Sequence, residues 1–173
     1  MIKKFFFYFI IFIFNINNSF ASEKIAFIDL NYIFLNSNAG KNLNLQINKQ
    51  KKNLDLEITN FRKQIDEKKN SISAQKNVLS KSEYEKKIID LENNVKEINL
   101  KISQKNKDLS IFKSKAEKKF FEKLNIIVEK YSISNSINLI LKKENLLMGK
   151  KNLDITEDIF KLFNENVEEI IIN

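Results

Sequence analysis

The sequence predicts an α+β protein that is predominantly helical, with a long antiparallel coiled-coil hairpin inserted in a small β-containing oligomerisation body. Three observations carry this. Two apolar heptad patterns run away from one point in mirrored registers. Backwards from it stand Leu79, Ile72, Ile65, Phe61, Ile58, Leu54 and Ile47; forwards stand Tyr84, Ile88, Leu91, Val95, Ile98, Ile102, Leu109, Phe112 and Ala116, all at steps of 3, 4 or 7. Folding at that point sets Ile72 against Leu91, Ile65 against Ile98, Phe61 against Ile102 and Leu54 against Leu109, each an a-type position facing a d-type one. Second, the point itself is a capping box: Ser80 at the N-cap and Glu83 at N3, with Leu79 and Tyr84 as a hydrophobic staple. Third, the chain has no Pro and only two Gly, so nothing opposes long helices.

Each element follows in order. Lys3 and Lys4, the apolar residues 5–14 and Ser19-Phe20-Ala21 read as an export signal cleaved between Ala21 and Ser22. The apolar run stops at Asn15, short of the ~20 residues a membrane span needs. The product is expected to be exported and soluble, which in a bacterium with an outer membrane means the periplasm. Lys24-Ile25-Ala26-Phe27-Ile28-Asp29 is a strand, and a brief helix follows across Tyr32, Ile33 and Phe34. Ser37 caps the first arm, which runs from about Lys41 to Leu79 and would be roughly 55–60 Å long. The second arm outruns it, and Phe120, Phe121, Leu124, Ile126, Ile127 and Val128 are apolar on too many sides for a two-helix seam, so that stretch enters a separate core. Residues 132–136 break the helix. Strands are predicted at 137–141 and at Leu146-Leu147-Met148, then a final helix N-capped by Thr156 with an apolar stripe of Ile159, Phe163, Val167 and Ile170. The organisation is thus residues 1–21 as signal, 22–40 with 132–173 as body, and 41–131 as hairpin arm with its tip near 79–84. Three short strands leave open edges, which oligomerisation would cover.

Composition removes whole classes of function. There is no His, Cys or Trp, which excludes the usual zinc sites, His-based triads and disulfides. Exposed acids such as Asp66, Glu67, Glu83 and Glu85 stand among lysines as helix-pair partners. Asp29 is the one acid in a structured niche, and it reads as a helix cap. No catalytic, cofactor-binding or metal-binding residue is predicted, and no cofactor. Residues 41–131 hold 22 Lys and Arg against 13 Asp and Glu, while the rest beyond residue 21 holds 6 against 9. Basic arms could suit nucleic acid, but export removes the chain from it. Acidic unfolded proteins, anionic lipid and lipopolysaccharide remain as partners.

The order of these pieces resembles the Skp/OmpH family of periplasmic chaperones. The resemblance rests on the post-signal strand, on Ser37-Asn38-Ala39-Gly40-Lys41 opening the arm, and on Leu79-Ser80-Lys81-Ser82-Glu83 at the tip. It continues in Ile137-Asn138-Leu139-Ile140-Leu141 and in Asp154-Ile155-Thr156-Glu157-Asp158-Ile159. The resemblance implies a homotrimer whose β-rich body joins three hairpin arms around a cavity that holds unfolded outer-membrane proteins without ATP. No residues here match a lipopolysaccharide site.

Some apolar residues lie off the seam. Ile89, Leu100 and Ile111 recur every eleven residues on the second arm, and Leu45 and Leu56 repeat that spacing on the first. Eleven residues bring a helix back to the same face with ~20° of drift. These five are the candidate client contacts; isolated surface apolars, or packing in another arm's groove, would give the same pattern. Lys68, Gln75 and Lys105 occupy seam positions and Lys51 faces Phe112, which would either loosen the arms or set their register. The alternative function is a structural coiled-coil adaptor of the cell envelope, docking through its tip.

Overall fold

The computed structural model describes residues 23–172. The cleavage site at Ala21 and Ser22 lies outside them. Strand β1 (Ile25–Ile28) leads directly into helix α1 (Leu30–Asn36). The Asp29 carboxylate accepts the Tyr32 N–H at 2.9 Å and caps α1. Ser37 then closes one helix and opens the next. Its N–H donates to the Ile33 carbonyl at 3.0 Å, and its buried hydroxyl accepts the Gly40 N–H at 3.2 Å. A Cβ on Gly40 would sit 1.8 Å from the Phe34 carbonyl oxygen, so only glycine allows this one-residue corner.

The arms are helix α2 (Asn38–Ala74) and helix α3 (Lys81–Ser134), of 37 and 54 residues. At ~1.5 Å per residue they are about 55 and 80 Å long. Every predicted apolar seam residue is buried or half-buried, with Leu54, Ile98 and Ala116 buried. The capping box is present: the Ser80 hydroxyl accepts the Glu83 N–H, and the Ser80 N–H donates to the Glu83 carboxylate at 3.0 Å. The Ser80 hydroxyl and backbone N–H together hold the Glu83 carboxyl below its ordinary range. The first arm, however, stops being helical at Ala74 rather than reaching Leu79. Residues 75–79 form turns in which the Val78 and Leu79 N–H groups both donate to the Gln75 carbonyl at 3.0 Å. Between Ile72 and Leu79 the one seam position is the polar Gln75, whose amide oxygen takes the Lys87 ammonium at 2.6 Å. No apolar contact is left there to hold a last turn against α3.

In the body, β1 pairs in parallel with β2 (Leu139–Lys142), from Ile25 opposite Leu139 to Ile28 opposite Lys142. Parallel neighbours need a long crossover, and here the crossover is the whole hairpin. The predicted third strand is absent. Leu146-Leu147-Met148 lies between two short 3-10 turns, Lys143–Asn145 and Lys151–Leu153. The chain passes over the Phe27 ring at Gly149, where a Cβ would come within 2.5 Å of a ring carbon. Its backbone bridges to β1 at Asp154, with the Ile155 N–H donating to the Phe27 carbonyl at 3.0 Å.

Helix α4 (Thr156–Asn166) corrects two further expectations. Thr156 is its first residue, not its N-cap. The Thr156 hydroxyl is buried and accepts the Asp29 N–H at 2.9 Å, while Asp154 accepts the Thr156 N–H at 3.0 Å. The demand of Asp29 outweighs the local capping preference. The helix also ends at Asn166, so Val167 and Ile170 of the predicted stripe lie beyond it. Ile33, Leu43, Phe120, Leu124, Ile159 and Phe163 form the centre of the core. Phe120 meets Phe34 and Phe163 at ring distances of 4.9 Å and Phe121 at 5.5 Å.

Candidate functional site

The five off-seam residues all stand in solvent. Leu45 is 70% exposed, Leu56 56%, Ile89 55%, Leu100 71% and Ile111 44%. The seam needs none of them, because its own positions are filled by the other apolar set. On a helix the neighbours of such a residue are those three and four places away. Lys41 and Lys49 bracket Leu45, Lys52 precedes Leu56, Lys96 precedes Leu100, and Lys107 and Lys115 bracket Ile111. These lysines are exposed, and among the described residues none of them closes an ion pair. Leu45 and Leu56 therefore have only positive charge among these neighbours, whereas Leu100 and Ile111 also have Glu97 and Asp108 three places before them. Around Ile89 the acids outnumber the bases, with Lys86 between Glu85 and Glu92.

The polar seam positions find partners across the hairpin. Lys105 pairs with Glu57 at 2.6 Å, Lys68 donates to Asn94 at 3.2 Å, and Lys87 donates to Gln75. Each of these links joins residues within one position of the predicted pairing, as register specification requires. Beside the Glu57–Lys105 pair the arms leave an open cleft of about 260 Å³ lined by Leu54, Leu109 and Phe112. Lys51 remains exposed. At the tip, Leu79 and Tyr84 are half-buried, Ser80 and Glu83 are exposed, and Val78 is 85% exposed, an apolar contact the heptad pattern did not reveal.

The body carries a second set of exposed apolar residues that sequence reasoning missed. Ile25 and its strand partner Leu139 are both open to solvent, and Leu147 and Met148 almost entirely so. For Leu147 and Met148, the expectation of a strand at Leu146-Leu147-Met148 concealed that both side chains stand in solvent. Nearby, the Lys143 ammonium lies 3.1 Å from Asp154 and 4.0 Å from Asp29. Burial would raise the Asp154 carboxyl, but the Thr156 hydroxyl and N–H and the Lys143 charge together hold it below its ordinary range. Asp29 and Asp154 are thus engaged in joining β1, α1 and α4. Among the described residues no helix is long and apolar enough to cross a membrane, and no acidic cluster could hold a metal ion.

Known proteins share this architecture. Among solved structures, a crystal structure of a candidate OmpH-like outer membrane chaperone from Caulobacter crescentus superposes with a TM-score of 0.80 at 15% identity. The match covers 86% of this chain and 88% of that one, and at such low identity it speaks for the fold alone. No curated protein matches in sequence. The pattern of the OmpH-like outer membrane protein family, by contrast, matches residues 24–163, from β1 to the middle of α4. The chain belongs to the OmpH-like family.

Proposed function

We propose that the protein is an ATP-independent holdase chaperone that binds unfolded outer-membrane proteins in the periplasm and keeps them from aggregating on their way to the outer membrane. The observation that carries this is the row of exposed Leu and Ile residues on a lysine-rich hairpin that has no need of them. A contact that buries about 50 Å² of apolar surface contributes roughly 1 kcal/mol. One such contact is too weak to hold a client and several are enough, which lets a bound chain remain unfolded and leave again. The lysines would draw acidic chains from a distance and add little to final affinity. Family membership and the description of the Caulobacter protein as a candidate outer membrane chaperone point the same way.

In this account the signal is cleaved between Ala21 and Ser22. Residues 22–40 with 132–173 join the copies, and residues 41–131 form the arm. The exposed Ile25, Leu139, Leu147 and Met148 favour association through the body, and the family resemblance makes that assembly a homotrimer. Anionic lipid or lipopolysaccharide would be met by the same basic arm surface.

The test replaces Ile89, Leu100 and Ile111 together by Ser. Helix content should barely change, while the capacity to suppress light scattering from a diluted, denatured β-barrel protein should fall. Salt should separately slow capture, since screening shortens the reach of the arm charges to ~8 Å at physiological ionic strength. A triple variant that protects as well as the parent at every ratio removes this surface from the function. A structural adaptor docking through Val78 and the tip would bind one folded partner and leave aggregation unaffected.

A further inference from the structure

After α4 the chain bends at Glu168 and then crosses the root of the hairpin, where residues 170–172 are held by side chains of both arms. The Gln46 amide on α2 donates to the Ile170 carbonyl at 2.7 Å and accepts the Ile172 N–H at 3.3 Å. In an extended chain the C=O of one residue and the N–H two places on face the same way. A single primary amide therefore stands where a neighbouring strand would be. Its orientation is fixed by a further bond from the same nitrogen to Asn42 Oδ1 at 2.6 Å. The Ile171 carbonyl faces the other arm and accepts the Lys119 ammonium on α3 at 3.1 Å. Side-chain burial has the same period of two: Ile170 is buried, Ile171 is 59% exposed, and Ile172 is half-buried against the core.

All three bonds fall on main-chain atoms of the segment, so the groove reads an extended backbone and alternate apolar side chains, the mode of recognition by strand addition. Residues 167–169 just upstream are held less closely. Between Glu168 and Glu169 and the α3 residues Lys123 and Lys130 lies an open cleft of about 450 Å³, and no ion pair closes it.

We propose that the root of the hairpin is a binding site for a short extended segment with alternating apolar residues and carboxylates upstream, occupied at rest by the chain's own residues 167–172. The source of an incoming segment, an unfolded client, rests on the chaperone function proposed above; the groove itself does not. Occupancy in cis lowers the apparent affinity for a segment in trans, so the site takes a client only when the arms already hold it at high effective concentration.

The probe is a fluorescein-labelled peptide with the sequence of residues 167–173, followed by anisotropy on the full chain. Releasing the resident segment with Ile170→Ser and Ile172→Ser should strengthen peptide binding about tenfold or more over the parent. Adding Gln46→Ala, which removes two hydrogen bonds to the peptide backbone, should cancel about a tenfold gain. A released variant of parental helicity that gains no binding overturns the proposal, as does a gain indifferent to Gln46→Ala. If release costs helicity, hydrogen exchange on the unaltered chain decides. Excess peptide should speed exchange of the Ile172 N–H, and an unchanged rate means that the segment is only part of the core. None of these readouts involves a client, so failure here is distinguishable from failure of the aggregation test.

Discussion

Phe120→Ala should be the most damaging single truncation in the chain. The ring is fully buried where α1, α3 and α4 meet, with Phe34 and Phe163 at 4.9 Å and Phe121 at 5.5 Å. Truncating a buried Phe costs about 3–5 kcal/mol through lost transfer energy and the cavity left behind. Three helices frame the site and cannot all close on the gap, and each lost aromatic pair adds about 0.5–1.5 kcal/mol beyond its area. The effect therefore belongs in the upper half of that range, about 4 kcal/mol, a large share of the ~5–15 kcal/mol by which domains are stable. With a urea dependence of about 2 kcal/mol per molar, the unfolding midpoint should fall by about 2 M. The measurement is circular dichroism against urea at one fixed protomer concentration, because an oligomer's apparent stability depends on it. Phe120→Leu should recover more than half of the loss. A Phe120→Ala midpoint within about 0.5 M of the parent would refute the assignment of this cluster as the packing centre.

Two other outcomes can be checked directly. The Tyr131 hydroxyl donates to Asp158 at 2.7 Å, and burial, that bond and the Asp158 charge push its phenol up to about 12. The unfolded value is near 10; the folded state therefore holds this proton more tightly, and the stability it contributes is complete below pH ~10 and lost between pH ~10 and 12. The stability difference between parent and Tyr131→Phe should be constant at neutral pH and shrink across that alkaline window; a difference that stays flat would remove the coupling. Sedimentation equilibrium of the chain from Ser22 onward should give about three times the protomer mass, and a monomer persisting at high micromolar concentration would remove the trimer.

Elements defined by repetition were legible in the sequence. Every apolar residue that the seam registers placed inside is buried or half-buried, because a heptad pattern depends only on neighbours three and four places away. The Asp29, Ser37 and Ser80 caps were legible for the same reason: each acts on N–H groups within the next turn. What failed was decided at a distance. Thr156 looks like an N-cap until the Asp29 N–H, far off in sequence, takes its hydroxyl. Leu146-Leu147-Met148 is too short a run for periodicity to separate strand from loop, and the approach of Gly149 to the Phe27 ring is what turns that stretch away from β1. The early end of α2 is intermediate. Gln75 was visible as a polar seam residue, but its capture by Lys87 was not.

The same division runs through the candidate surfaces, and it follows from how each would bind. A surface built for weak, repeated contacts must itself be repetitive, so the eleven-residue recurrence of Leu45 with Leu56, and of Ile89, Leu100 and Ile111, showed in the sequence as apolar positions the seam does not use. The root of the hairpin works the other way. There one glutamine among many polar helix residues fixes two backbone groups of a segment more than a hundred residues downstream, and no local pattern marks Gln46 as different from Gln50 or Gln64. The alternating burial of Ile170, Ile171 and Ile172 was equally hidden, since three consecutive isoleucines carry no period of their own. Diffuse capture along the arms and backbone-directed capture at their root would thus be complementary: the first raises the local concentration of an extended chain, and the second selects from it a stretch able to replace the resident segment.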